Sequence, residues 1–430
     1  MSKDFKTVDW ACTTNIYEVN VRQYSDEGTF NAFAGQLNRL RDMGVETLWF
    51  MPVTPIAVLN RKGTLGSYYS CSDYMAVNPE FGTLADFRRL VSKAHKLGFR
   101  IIIDWVANHT GWDHVWTKSN PEFFDRDEFG KFLPPFPDWE DVIHLNYQNA
   151  ELRKAMVEAM KFWVNEADID GFRCDMAHLV PLDFWKEARM ELDAIKPLFW
   201  LAETEEPAYH EVFDASYAWE LLHSMEKYWK HETDMNGIDA VLFNYNTLFP
   251  ATALRLFFTS NHDENSHSGT EYERMGDAAP AFAVLCATWG GIPLVYSGQE
   301  VPLKDKRLDF FDKDAIPWTG EYAMAGFYKV LLELRKSSPA LRSADKSVRT
   351  FRLETTQNSR VFAFLKKNGD HEVLVLLNLS GDAISGRIIG EVVIGHFKEV
   401  FSGITIDLTT ERAFEMKPWE YAVYQKGQGD

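Results

Sequence analysis

Cysteine is scarce in this chain: Cys12, Cys71, Cys174 and Cys286 are the only four in 430 residues, and no CxxC pair occurs. Such spacing argues against a disulfide framework and against a zinc cluster, and leaves four buried thiols as the plain reading. Long apolar runs are missing as well. No segment approaches the ~18 uninterrupted apolar residues of a membrane span. The opening Met1-Ser2-Lys3-Asp4-Phe5-Lys6 has no apolar stretch behind its charges, so no secretory signal is seen. A cytoplasmic protein is expected if the sequence is full-length, and a secreted or periplasmic one if a leader was removed. Positive charge is also short: 45 Lys and Arg against 63 Asp and Glu leave a formal net charge of −18. Nucleic acids and anionic membranes are held by basic patches, so neither is an expected partner. Internal repeats and low-complexity tracts are absent.

What is present is apolar material in a regular rhythm. Hydrophobic residues make up 46% of the chain, enough for large cores, and the length suits a (β/α)8 barrel of about 250 residues plus roughly a hundred more. Short apolar runs alternate with amphipathic helical stretches as far as about residue 345. The runs are Asn15–Val21, Thr47–Val53, Arg100–Asp104, Gly171–Asp175, Leu198–Glu203, a weaker Phe213–Tyr217, Leu256–Asn261 and Ile292–Ser297. Between them lie helical faces such as Phe30, Phe33, Leu37 and Leu40, then Phe87, Leu90, Val91 and Ala94, then Leu152, Met156, Ala159, Met160 and Trp163. Apolar strands separated by helices predict a parallel sheet covered on both faces. Eight runs suit a closed TIM barrel; periodicity alone also admits a doubly wound sheet.

Two stretches break the rhythm. The Pro-, Asp- and Phe-rich segment around Leu133-Pro134-Pro135-Phe136-Pro137-Asp138-Trp139 is too long for an ordinary strand-to-helix loop, and reads as a short inserted subdomain over 108–146. From 346 to 430 the pattern becomes short strands, with Asn368-Gly369 turning a hairpin between Val361–Leu365 and Val373–Leu377, and predicts an antiparallel β-sandwich. The barrel would then comprise 1–107 and 147–345.

Several runs end in ionisable residues: Asp104, Asp175, Glu203, and His262-Asp263 just past the seventh. One terminal carboxylate is ordinary, because Asp often caps a following helix. Four acids delivered to one barrel rim are different, since uncompensated carboxylates repel and the strand ends of this fold carry its active sites. Arg173, two residues before Asp175, points to the same side of its strand and is expected to hold Asp175 ionised. Cys174 points the other way, into packing. A charged carboxylate beside a protonated one is what glycosidic cleavage requires.

The ordered set Gly44–Pro52, Asp104-Trp105-Val106-Ala107-Asn108-His109, Gly171-Phe172-Arg173-Cys174-Asp175, Leu201-Ala202-Glu203, Ser260-Asn261-His262-Asp263 and Gly291–Glu300 resembles glycoside hydrolase family 13, the α-amylase superfamily, over nearly the whole chain. The resemblance implies a retaining glycosidase that cleaves α-1,4-glucosidic bonds in starch-derived glucans or maltodextrins. It makes Asp175 the nucleophile, Glu203 the acid/base and Asp263 a transition-state stabiliser. It also makes Arg173, His109 and His262 substrate-site residues, with Asp104 supporting Arg173. Tyr69 matches the stacking tyrosine of the family, with Tyr68 its rival. Ser70 stands where the family's α-glucosidases carry Asp, which with the short insertion favours an open, internally cutting cleft.

Two departures from the family pattern matter. His144 replaces the Asp that is a calcium ligand in many members; Asn108 is retained, but no metal is assigned and no cofactor is expected to be required. His178 and Leu179 stand where Lys-His is common. His178 is read either as a contact to the leaving-group sugar or as a polar residue at a helix start. The loop Asp309–Asp314 either borders the cleft or forms a solvated turn. The same intermediate would serve a transglycosylase, and a catalytically inactive sugar-binding scaffold is the third reading.

Overall fold

The computed structural model describes residues 5–427; residues 1–4 and 428–430, at the two ends of the predicted domains, lie outside the described residues. Ten strands lead the chain: β1 Ile16–Val19, β2 Thr47–Phe50, β3 Arg100–Trp105, β4 His109–Gly111, β5 Val142–His144, β6 Gly171–Cys174, β7 Phe199–Ala202, β8 Ala215–Tyr217, β9 Leu254–Phe257 and β10 Ile292–Tyr296. Eight of them form one parallel barrel in the order β1-β10-β9-β8-β7-β6-β3-β2. Because β1 pairs with both β2 and β10, the sheet has no edge, which excludes the doubly wound alternative. These strands can be apolar along their length because one face meets the barrel interior and the other the surrounding helices. All four residues of β1, β2, β6 and β7 are buried.

The helices follow from their caps and stripes. Thr83 and Asp86 form a reciprocal capping box ahead of the helix Leu84–Lys96, which buries Phe87, Leu90, Val91 and Ala94. Asn149 accepts from Glu151 and Leu152 at the start of Ala150–Ala167, whose stripe Leu152, Met156, Ala159, Met160 and Trp163 is buried. Phe30, Phe33, Leu37 and Leu40 are buried too, but on two short helices, Phe30–Ala34 and Leu37–Asp42. The first turn stops where the Gly35 N–H bonds back to Ala32 and Phe33 carbonyls, so one amphipathic face is shared by two pieces.

Between β3 and the helix at Ala150 the chain leaves the barrel. There β4 and β5 pair antiparallel, and a single turn of helix, Trp116–Ser119, lies between them. The C-terminal strands are β11 Arg349–Leu353, β12 Val361–Asn368, β13 His371–Asn378, β14 Ile384–Arg387, β15 His396–Glu399, β16 Thr405–Asp407, β17 Ala413–Met416 and β18 Tyr421–Lys426. They form a six-stranded antiparallel sheet, β11-β12-β13-β18-β15-β16, and a two-stranded one, β14-β17. In β12, Phe362 and Phe364 join the barrel core, whereas Val361, Ala363 and Leu365 join Ile384, Phe414 and Met416 in a second core. The alternation explains why β12 and β13 are apolar on both faces: one face docks on the barrel and the other is covered by β14-β17.

Candidate active site

The C-terminal ends of the barrel strands deliver the ionisable residues to one rim. Asp104 lies near the end of β3, Arg173 in β6 with Asp175 just beyond it, Glu203 just beyond β7, and His262 and Asp263 past β9. Arg173 is fully buried and stands at the centre. Its Nη1 donates to Asp104 at 2.9 Å and to Asp175 Oδ1 at 3.0 Å, and its Nε donates to the Tyr217 hydroxyl at 3.0 Å. Its Nη2 lies 2.9 Å from Glu203 Oε2, an ion pair whose direction is not that of a hydrogen bond. The Met176 N–H donates to the same oxygen at 2.8 Å, from a backbone held at φ 40°. For a residue with a side chain that conformation is disfavoured, and here it turns an amide toward a carboxylate.

A second chain of contacts starts at Glu18 in β1. Its carboxylate accepts from His262 Nδ1 at 2.5 Å. His262 Nε2 lies 2.6 Å from the Tyr69 hydroxyl and 3.3 Å from Asp263. Tyr69 in turn donates to Asp104 at 3.1 Å, and the Trp49 indole donates to the same Asp104 oxygen at 3.2 Å. Burial opposes a charge on His262, but Asp263 and Glu18 outweigh it and raise its pKa well above the usual imidazole range. His262 is therefore an imidazolium donating on both sides. Burial also opposes ionisation of Asp263, yet His262 and then Arg173 bring it down to about 2. His109 is the opposite case: burial, with His144 nearby, lowers it to about 3 and keeps it neutral.

Asp175 departs from expectation. Burial and then the Glu203 charge push its carboxyl well above the ordinary range, and Arg173 does not overcome them. The reason is that one guanidinium is divided among Asp104, Asp175 and Glu203. The Glu203 and Asp104 charges each disfavour a further negative charge on Asp175. Arg173 lowers Asp175 as expected, but against burial and the neighbouring carboxylates the net direction is upward.

Asp175, Glu203, Asp263, Tyr69 and His109 line one cleft of about 250 Å³, together with Met176, Trp139, His267, Phe310 and Lys62. Tyr69 lies nearly parallel to Phe310 at 6.2 Å and to His262 at 5.3 Å. Of the two candidate tyrosines Tyr69 faces the cleft; Tyr68 is buried, donates to Asn20 and lies against Arg22. His178 is exposed on the turn Ala177–Leu179 and does not line the cleft, although its carbonyl accepts from Tyr209. Asp309–Asp314 borders the cleft through Phe310 and Phe311.

A family model described as the alpha-amylase catalytic domain matches residues 6–135 and 132–350. The chain belongs to the α-amylase family, glycoside hydrolase family 13. Alpha-amylase MalA of Haloarcula japonica is 27% identical over 395 residues, covering 87% of this chain and 56% of that protein, so the chain spans about half the length of that relative. Alpha-amylase 3 of Dictyoglomus thermophilum is 25% identical over 445 residues, covering 86% and 85%. Among solved structures, a noncanonic maltogenic alpha-amylase from Thermotoga neapolitana superposes with a TM-score of 0.89 at 30% identity, over 96% of this chain and 99% of that one. An alpha-amylase from Lactobacillus plantarum gives 0.86 at 28%, over 97% and 99%.

In this α-amylase family glycosidase, sequence reasoning passed over Glu18, Trp49, Lys62, Trp139, Met176 and Tyr217. Glu18 did carry a signal, as the one charge inside an otherwise apolar strand. Met176 carried none, because its contribution is a backbone amide.

Proposed function

We propose that the protein hydrolyses α-1,4-glucosidic bonds in starch-derived glucans or maltodextrins with retention of configuration. The observation that carries this reading is Arg173: its two arms reach Asp175 and Glu203, and Asp263 lines the same cleft. Each anchored carboxyl keeps one oxygen occupied and one available. Asp175 Oδ1 accepts from Arg173, leaving Oδ2 to attack the anomeric carbon. Glu203 Oε2 faces Arg173 and the Met176 amide, so a proton on Glu203 belongs on Oε1, from which it passes to the departing glycosidic oxygen. Glu203 then takes a proton from water, which opens the glycosyl ester at Asp175. Asp263, ionised beside the His262 imidazolium, stabilises the positive charge that develops on the sugar ring. Tyr69 and Phe310 supply flat faces for its C–H surface. Neutral His109 hydrogen-bonds a sugar hydroxyl without adding charge.

Maltoheptaose hydrolysis followed by proton NMR tests this. The first reducing ends formed should be α, and Asp175→Asn and Glu203→Gln should each abolish turnover. Early β-anomer would overturn the mechanism, and starch loss unchanged in Glu203→Gln would leave only the scaffold reading. Transfer to a sugar hydroxyl is the second reading, favoured by similar proteins named as a glucanotransferase and a maltosyltransferase. Products longer than the substrate at early times would select it.

No calcium ion is assigned to the Asn108 position. His144 Nε2 lies 3.2 Å from Asn108 Oδ1, and its Nδ1 lies 2.6 Å from Asp125. Calcium takes six to eight oxygens, and here an imidazole joins the two oxygen donors, so the residues do not fit the ion.

A further inference from the structure

The loop between β2 and Tyr69 is fastened on every side. Asp113 accepts from the Val58 and Leu59 amides, and the Arg61 guanidinium donates to the Ala57, Ile56 and Thr64 carbonyls of its own loop. The Leu65 and Gly66 amides both donate to the Phe311 carbonyl at 3.1 Å, and the Thr64 amide donates to Asp312 at 2.7 Å. Gly63, at φ +64°, lies so close to Phe311 that an added Cβ would meet the phenylalanine Cβ at 2.5 Å. A loop held in this way is a wall rather than a flap.

From this wall Lys62 reaches across to the insertion. Its Nζ lies 3.1 Å from Asp141 Oδ1, and both residues line the catalytic cleft. Beyond the pair is a second cavity of about 680 Å³, bordered by Arg61, Trp112, Lys131, Leu133, Pro137 and Lys62 itself. Lys62 is the residue common to both spaces. The wall runs on to Tyr69 and is fastened beside Phe310, the two flat faces proposed above for the reacting sugar. Glu203, proposed above to protonate the departing oxygen, and Met176, whose amide holds Glu203 Oε2, stand instead just past β7 and β6.

We propose that the Lys62–Asp141 ion pair is a bar across the glycone end of the cleft, so that glucan chains enter by their non-reducing end and are shortened from it by a short fixed unit. This rests on the glycosidase reading above, and runs against the open cleft that Ser70 and the short insertion favoured. Ser70 itself is buried, its hydroxyl donating to the Asp141 carbonyl, and so it helps to seat the bar. Removing the Lys62 side chain would join the two cavities into one longer groove.

The test compares maltoheptaose with the same oligosaccharide capped on its terminal non-reducing hydroxyls, on the full chain and on Lys62→Ala and Lys62→Arg. The wild type should cleave the capped substrate at least about 100-fold more slowly than the free one, because the cap has no space to occupy. In Lys62→Ala the capped-to-free ratio should rise at least about 10-fold and the products lengthen, while Lys62→Arg, which can rebuild the pair, keeps the ratio low. Equal cleavage of both substrates by the wild type, or a ratio unmoved in Lys62→Ala, overturns the bar. No cleavage of free maltoheptaose, or of any α-glucan, would instead sink the glycosidase reading on which it rests.

Discussion

Glu18, on the first barrel strand, accepts a 2.5 Å hydrogen bond from Nδ1 of His262, 244 residues downstream, and the pair is fully buried. His262 therefore meets Asp263 and Tyr69 as an imidazolium. Its folded pKa is raised, so its contribution is complete below about 6.5 and is lost as pH rises through the folded value. Glu18→Gln removes one of the two carboxylates that hold the proton. The alkaline limb of kcat/KM should move to lower pH, with activity near neutrality reduced roughly 10-fold, as expected for a hydrogen bond to a charged group. The stability gap between wild type and variant should narrow from pH 7 upward. An alkaline limb that stays where it was, with only KM changed, would show that Glu18 has no influence on His262.

The Asp175–Glu203 pair makes a prediction of the opposite sign. Glu203 is, after burial, the main influence raising the Asp175 carboxyl. Replacing it by Gln removes that charge and leaves the burial. A carbon-13 NMR titration should find Asp175 ionising at lower pH in Glu203→Gln than in the wild type. Because the variant does not turn over substrate, the shift reads the electrostatics alone. An upward shift would mean that the Glu203 charge is not what raises Asp175.

Groups acting from the end of an apolar run could be seen from periodicity, and Tyr69 and His109 only through the family resemblance, whereas groups acting through tertiary approach could not be seen. Asp104, Arg173, Asp175, Glu203 and Asp263 all stand at or near strand termini, where an ionisable residue interrupts hydrophobic periodicity. The barrel was readable for the same reason, although periodicity alone left its closure open until β1 was seen to pair with both β2 and β10. Lys62 could not be read, because a lysine in a polar loop looks solvated until Asp141 is beside it. Adjacency at the end of β6 names Asp175 as one partner of Arg173, whereas the fold supplies three.

His144 occupies the position where oxygen donors would otherwise converge with Asn108. EDTA treatment should leave Tm unchanged within error, since no ion is proposed there. His144→Asp replaces a nitrogen by a carboxylate beside Asp125 and Asn108, and should create a calcium-dependent rise in Tm that the wild type lacks. In the absence of calcium that variant should be less stable, because two carboxylates are then adjacent without the imidazole between them. A wild-type Tm that falls on chelation would refute the assignment.

Lys366, in β12, is buried where the C-terminal sheet meets the barrel. Its Nζ donates to the Trp289 carbonyl at 2.6 Å and to the Thr350 hydroxyl at 2.7 Å. Burial, with Arg335 nearby, lowers its pKa to about 7. The unfolded chain keeps this proton to about pH 10.5, so between about 7 and 10.5 the unfolded state binds more protons and stability should rise with pH. Integrated over that window the effect is on the order of several kcal/mol. Lys366→Met keeps much of the volume and removes the titration, but leaves the Trp289 carbonyl and the Thr350 hydroxyl without this donor, a loss of about 1–3 kcal/mol at every pH. The two effects separate by pH. At pH 10 the variant should melt below the wild type, because neutral Lys366 still donates both hydrogen bonds. At pH 7 and below the gap should close or reverse, because the wild type then bears a buried charge between two domains. Melting curves that run parallel from pH 6 to 10 would show that Lys366 keeps the same protonation state throughout.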